Sequence, residues 1–162
     1  MHRRRPRGAA TTVVEIAADR QTVFDFLTEP RTYPDWLVGA QDMRAVEPAW
    51  PSPGARFHHR VGVGPFHIDD STTVLELDAP DSMLLRASIG PLGAALVRFD
   101  LEGNGTTRLT MDERPESGVV HVLGRAGSPL LRASIWGRNR VALNQLRSLI
   151  EAPKQSSPRE GS

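Results

Sequence analysis

Cysteine is absent from the 162-residue chain, so neither a disulfide nor a thiolate metal site can form. One lysine and 19 arginines make up the 20 basic side chains, a skew that reads as the bias of GC-rich coding rather than as a functional patch. No run of about 18 apolar residues occurs, so no segment is expected to cross a membrane as a helix. The start, Met1-His2-Arg3-Arg4-Arg5-Pro6-Arg7-Gly8, is basic but lacks the apolar core of a signal peptide. Also missing are the G-x-x-x-x-G-K-[ST] phosphate loop, a G-x-G-x-x-G between strand and helix, and the G-x-S-x-G elbow of hydrolases. The expectation is a cytoplasmic protein with no cofactor and no metal.

The formal net charge of +1 hides an uneven distribution. Setting aside the four arginines of residues 1–8, together with Lys154, Arg159 and Glu160 of the tail, leaves 14 basic against 18 acidic side chains. A body with a net charge of −4 lacks the basic face of a nucleic-acid-binding domain, so no nucleic-acid partner is expected. Residues 1–10 and 152–162 are polar, with proline and serine, and are expected to be disordered around one domain spanning 11–151. That length suffices for a real core. Stable membrane insertion is not expected, and the chain could be a monomer or a homodimer.

Within that domain the hydrophobic period changes twice. Thr12–Ala17 reads as a strand. Asp19 is placed to cap a helix carrying Val23, Phe24 and Leu27 at helical spacing, with Pro30 stopping it. Tyr33-Pro34-Asp35-Trp36 opens a second short helical turn whose aromatics can pack on a sheet or line a cavity mouth. From residue 41 to 115 the period is two, in six segments. Phe57, His59, Val61 and Val63 share one face; so do Ala95, Val97, Phe99 and Leu101; so do Leu109, Met111 and Glu113. Arg86 and Arg98 take the outer face by the same parity. Turn chemistry separates the runs at Pro51–Gly54, Gly62–Pro65, Asp78–Asp81, Gly90–Gly93 and Gly103–Gly105. Only Phe66–Leu77 resists a register. Leu75 and Leu77 facing inward would bring His67, Asp69, Ser71 and Thr73 with them unless a bulge intervenes. The opposite choice brings Asp70 and Glu76.

A final helix is expected over Ser128–Glu151, with Ser128 as N-cap and Pro129 in the first turn. Leu131, Ile135, Asn139, Leu143, Leu146 and Ile150 form its stripe, with Trp136 on the flank. Gly137, mid-helix, suggests a close approach or a slight bend. One strand, two short helices, six strands and a long helix describe an α+β fold in which a curved antiparallel sheet of about seven strands wraps the last helix.

Several short motifs occur in a telling order. Val14-Glu15-Ile16 precedes Val23-Phe24-Asp25-Phe26-Leu27, then Tyr33-Pro34-Asp35-Trp36, Pro53-Gly54-Ala55-Arg56-Phe57 and Val74-Leu75-Glu76-Leu77-Asp78-Ala79-Pro80. Gly105-Thr106-Thr107-Arg108-Leu109-Thr110-Met111 and the Arg138-Asn139 pair follow. With that order the chain resembles the START-like (SRPBCC) superfamily of polyketide cyclases/dehydrases and lipid transport proteins over residues 11–151. The resemblance implies the helix-grip fold and a ligand cavity between helix and sheet. It carries over no catalytic residue, because no residue pattern common to the superfamily fixes an activity.

The inward polar residues are therefore read one by one. Glu113, inward by parity, is a candidate acid or base if it lies in an apolar cavity; the bland alternative is a solvated rim or a pairing with an arginine. His59 is a candidate ligand contact or base, or a core histidine satisfied by one hydrogen bond. His58 and His59 point to opposite faces and cannot share a metal. Asn139 can serve a ligand, an inward carboxylate or a neighbouring strand. Tyr33, Trp36, Phe57, Val61, Val97, Phe99, Met111, Ile135 and Trp136 complete the candidate lining, or are simply packing. The favoured function is binding of a small hydrophobic or amphipathic ligand, lipid or polyketide-like. One alternative is a polyketide aromatase/cyclase or dehydratase using Glu113 or His59, with Asn139 or Tyr33 as donor to an enolate oxygen. The other is a partner-binding module of the chaperone-activator kind.

Overall fold

The computed structural model describes residues 9–38, 40–63, 65–88, 93–117 and 129–152; within them, the side chains at 41–42, 61–63, 66–68, 117, 129–132 and 134–135 lie outside the description. Of the stretches 1–10 and 152–162 expected to be disordered, residues 1–8 and 153–162 fall outside it, as do the Ser128 cap and the Gly90–Leu92 link. The elements are β1 (Ala10–Ile16), α1 (Arg20–Leu27), a 3-10 turn (Pro30–Thr32), α2 (Tyr33–Trp36), β2 (Ala40–Val46), β3 (Arg56–Val63), β4 (Phe66–Asp78), β5 (Ser82–Ser88), β6 (Ala94–Glu102), β7 (Thr107–Ser117) and α3 (Pro129–Glu151). β1 opens at Ala10, two residues before the expected start, because Ala10 is buried and pairs with Glu113.

The seven strands form one curved, open, antiparallel sheet in the order β1-β7-β6-β5-β4-β3-β2. β2 to β7 are a meander, and β1 adds to its far edge. This is the α+β helix-grip arrangement. The turn between β6 and β7 is locally determined: Gly103 takes φ +106°, and a Cβ there would collide with the Thr106 carbonyl oxygen. β2, one of the two edge strands, carries two register shifts between Ala40 and Ala45, irregularities that blunt a strand edge against pairing with another chain.

α1 begins as its sequence dictates, with Asp19 Oδ1 accepting from the Thr22 N–H at 2.7 Å. The Asp19 carboxyl is held below its usual range by that hydrogen bond. At the other end, the free carbonyls of the last turn find side-chain donors. The Tyr33 hydroxyl donates to Leu27 O and the Trp50 indole N–H to Thr28 O, each at 2.7 Å. Those two rings meet Phe57 of β3 edge to face, at centroid distances of 5.0 and 4.8 Å, and Trp36 packs on Tyr33 in the same manner at 5.1 Å. Aromatic contacts of this geometry add about 0.5–1.5 kcal/mol each beyond area burial.

The ambiguous β4 is resolved by a bulge. Asp70, Thr72 and Val74 are buried, the register with β5 shifts between Val74 and Glu76, and Leu77 then packs on the core. Leu75 and Glu76 both lie at the surface. One extra residue reverses the parity, so neither unbroken register is the observed one. Arg98 and Arg86 point outward as expected but are ion-paired rather than free, Arg98 with Glu76 and Asp100 and Arg86 with Glu116.

α3 packs against β1, α2 and α1. Ala142, Leu143 and Leu146 are buried in its stripe and Ile150 packs on the core. Asn139, at 1 % exposure, is as buried as the leucines. Near its end the helix is tied down by Glu151, whose Oε1 accepts from the Ala17 N–H at 2.7 Å. Gly137 does not serve a close approach: among the described residues nothing lies within 4 Å of where its Cβ would be. Gly137→Ala is accordingly expected to raise stability by about 0.5–1 kcal/mol. Leu143→Asp should unfold the protein or cost several kcal/mol by burying an unpaired carboxylate, while Arg147→Asp on the flank should not. Thermal melts followed by circular dichroism check all three.

Candidate functional site

Two polar clusters break the apolar inner face of the sheet, and each joins two elements. The first joins β7 to α3. Glu113 continues the inward row of Leu109 and Met111, between Ala10 of β1 and Val97 of β6, and is 6 % exposed. Arg138 Nη2 donates to Glu113 Oε1 at 2.6 Å and Oε2 at 2.5 Å. Asn139 Nδ2 donates to Glu113 Oε2 at 2.9 Å, and Asn139 Oδ1 accepts from Arg138 Nη2 at 3.3 Å. Both ends of the Asn139 amide are thus used, which explains how an amide is tolerated within an apolar stripe. The Arg138 side chain is 39 % exposed, so its attraction to Glu113 is partly screened by solvent. Its Nε is buried and has no partner among the described residues. Of the readings open for Glu113, the arginine pairing is the observed one, and its oxygens are already occupied by donors.

The second cluster joins β3 to β4. His59 and Asp70 are cross-strand partners with side chains 6 % and 3 % exposed. His59 Nε2 lies 3.5 Å from Asp70 Oδ2, an electrostatic contact longer than a good hydrogen bond. Asp70 Oδ1 accepts from the Ser71 N–H at 2.5 Å, whereas His59 Nδ1 is buried without a partner among the described residues. Burial pushes the imidazole down to about 4, helped by the nearby His58, and pushes the Asp70 carboxyl up to about 7 against the opposing Ser71 hydrogen bond.

The remaining candidates separate into packing and surface. Tyr33, Trp36 and Phe57 form the buried aromatic cluster, and the Tyr33 hydroxyl is committed to Leu27 O, so it is not a free oxyanion donor. Burial also pushes its phenol up. Val97, Phe99 and Met111 lie in the core. Trp136 is 44 % exposed, with the Arg140 guanidinium 5.2 Å from its ring centroid. The side chains of Val61 and Ile135 lie outside the described residues. Sequence reasoning did not single out Arg138 as the partner of Glu113, nor Trp50 as a donor to α1; Asp70 was visible only as one arm of the β4 ambiguity. Among the described residues no group of three or more His, Cys, Asp or Glu side chains converges as a metal site requires.

With this geometry established, the family model for polyketide cyclase/dehydrase and lipid transport proteins matches residues 7–151. The chain belongs to that family. No curated protein sequence matches it significantly. Its fold is shared by a protein of the dynemicin biosynthetic locus, at 22% identity and a TM-score of 0.65, over 91% of this chain and 48% of that one. This chain thus spans about half the length of the dynemicin-locus protein. A protein from Arthrobacter aurescens aligns at 18% identity with a TM-score of 0.67, covering 94% and 91% of the two chains. A Chromobacterium violaceum protein aligns at 14% identity with a TM-score of 0.65, covering 88% and 99%. At such identities the likeness establishes the fold alone. No helix among the described residues is long and apolar enough to cross a membrane.

Two outcomes test the clusters. Glu113→Ala leaves the buried Asn139 Nδ2 without its acceptor, so a loss of about 2 kcal/mol is expected, roughly 4–8 °C in Tm. Adding Asn139→Leu should recover part of that loss, and strict additivity of the two losses would contradict the coupling. For the β3–β4 pair the pH dependences oppose each other. His59, depressed from 6.5 to about 4, disfavours the fold as pH falls through that window. Asp70, raised from 3.8 to about 7, disfavours it as pH rises. In the wild type the two contributions nearly cancel between pH 4 and 6.5. Relative to wild type, Asp70→Asn should therefore make stability rise with pH across that window, and His59→Gln should make it fall. Urea titrations at a series of pH values read the two slopes, and slopes of the same sign would contradict the pair.

Proposed function

We propose that this protein binds one small apolar or amphipathic molecule, lipid or polyketide-like, between α3 and the inner face of the sheet, with an oxygen of the ligand on Arg138. One observation carries the reading. Arg138 directs a single terminal nitrogen to Glu113 and Asn139, while its buried Nε has no partner among the described residues. A guanidinium carries five N–H donors and no acceptor, and a buried donor left unpaired costs about 1–3 kcal/mol. A ligand carboxylate or carbonyl would satisfy it, and the apolar remainder of the inner face would take the ligand's hydrocarbon part. Family membership, which covers lipid carriers and polyketide-modifying enzymes alike, supports a ligand of this class.

Binding is favoured over cyclisation or dehydration by the state of the candidate catalysts. Glu113 already accepts from Arg138 and Asn139 on both oxygens, and the Tyr33 hydroxyl donates to Leu27 O. Neither is free to exchange a proton with a substrate, and His59, whose imidazole burial pushes down to about 4, is a weak base. An environment-sensitive naphthalene sulfonate dye is expected to bind the folded protein at one saturable site and to be displaced by decanoate more strongly than by decanol. Arg138→Gln should remove most of the preference for decanoate; because it also takes the charged partner from Glu113, some loss of Tm is expected, and binding is compared well below the variant's own melting transition. Absence of dye binding to the folded state would overturn the reading.

A further inference from the structure

The His59–Asp70 pair is left unused by the Arg138 contact. It sits on other strands, β3 and β4 rather than β7, and it consists of two titratable groups almost wholly removed from water. The other described charges of that region lie toward the opposite face. Arg44 and Arg60 both meet the exposed Asp69, and His58 is exposed. Inward, His59 has Phe57 at 5.2 Å between ring centroids and Met43 opposite it on β2. Among the described residues no arginine or lysine pairs with Asp70, and the imidazole, pushed down to about 4, is neutral above that pH.

A histidine kept only for packing normally satisfies both ring nitrogens. Here Nε2 faces a carboxylate while Nδ1 is buried with no partner among the described residues. A carboxylate beside one ring nitrogen draws the proton to that nitrogen and leaves the other as a lone-pair acceptor. The Ser71 N–H fixes the carboxylate that does so. What the site lacks is a donor. A charged donor would suffer the desolvation that already depresses His59, so the complementary group is a neutral hydroxyl, with phenols and enols the strongest donors of that class.

We propose that His59 and Asp70 form a hydroxyl-recognition site on the inner face of the sheet, in which Asp70 orients the imidazole and His59 Nδ1 accepts a hydrogen bond from a phenolic or enolic hydroxyl of the ligand. Asp70 is a positioning residue; His59 touches the ligand. The inference rests on the ligand-binding reading and narrows it to molecules carrying a hydroxyl on an apolar frame. It requires no covalent step.

The test compares 2-naphthol with 2-methoxynaphthalene, which keeps the ring system and removes the donor. Titrations are followed by tryptophan fluorescence at pH 8, where Asp70, with its carboxyl at about 7, is ionised. The wild type is expected to bind 2-naphthol about tenfold more tightly, the discrimination that one buried hydrogen bond provides. His59→Phe, which keeps an aromatic ring beside Phe57, should abolish the difference by weakening 2-naphthol alone. Equal affinities in the wild type, or a preference that survives His59→Phe, would overturn the proposal. If the sulfonate dye binds but neither naphthalene does, the hydroxyl site falls and the ligand-binding reading stands; if nothing binds, both fall. Should His59→Phe not fold, nitrogen-15 spectra of the wild-type histidines decide. The Nδ1 resonance of His59 should move with 2-naphthol and not with its methyl ether, and an unmoved resonance overturns the proposal.

Discussion

Asn139 is the residue around which helix and sheet are fitted. An amide buried to this degree in an apolar stripe is tolerated only where its donors and its acceptor find partners, because an unpaired one would cost about as much as a core cavity. Glu113 supplies the acceptor and Arg138 the donor. The requirement is directional, which hydrophobic burial is not: leucines at 143 and 146 would permit small sliding of α3 along the sheet, but three groups sharing four hydrogen bonds set one height. That height brings Arg138 alongside β7 and carries Glu151 to the Ala17 N–H at the end of β1. The ligand contact assigned to Arg138 therefore depends on the same interaction that seats the helix.

A second fixed point lies at the other side of the cup. The carbonyls left free at the α1 C-terminus are paired by Tyr33 and Trp50, and the rings that bring those donors also clamp Phe57. β3 is thereby held against the helical pair, and His59, two residues on, keeps its inward position. In this way the helical pair, with no polar group of its own in either cluster, positions one member of the His59–Asp70 site.

The other member is placed by the bulge in β4. Because the strand changes parity between Val74 and Glu76, one strand can present Leu77 to the core at one end and Asp70 to the inner face at the other. Without the shift, inward Leu77 would bring Asp69 inward in place of Asp70 and separate the carboxylate from His59. The contribution of the buried pair changes little over mildly acidic pH because the pH dependences of its two desolvation costs oppose each other. A lone buried imidazole or carboxylate would make the fold pH-sensitive in one direction.

Most of the architecture was legible in the residues themselves. Asp19 and Pro30 delimit α1 by local hydrogen bonding and ring geometry, the alternation in Phe57–His59, Ala95–Leu101 and Leu109–Glu113 marks buried faces, and the stripe from Asn139 to Ile150 marks the seat of α3. These signals act over a few residues, so spacing alone reveals them. The inward positions of Glu113, His59 and Asn139 followed from the same periodicities. Their partners did not. Arg138 meets Glu113 across 25 positions of sequence and Trp50 meets Thr28 across 22, and both pairings depend on how separate elements are oriented. Nor could spacing choose between Asp69 and Asp70, since a bulge leaves no periodic mark and the residues on either side of it fit both parities. Tertiary structure alone decided which polar groups are satisfied and which have no partner among the described residues, because a hydrogen bond requires a position and a direction in space, and sequence periodicity specifies only a face.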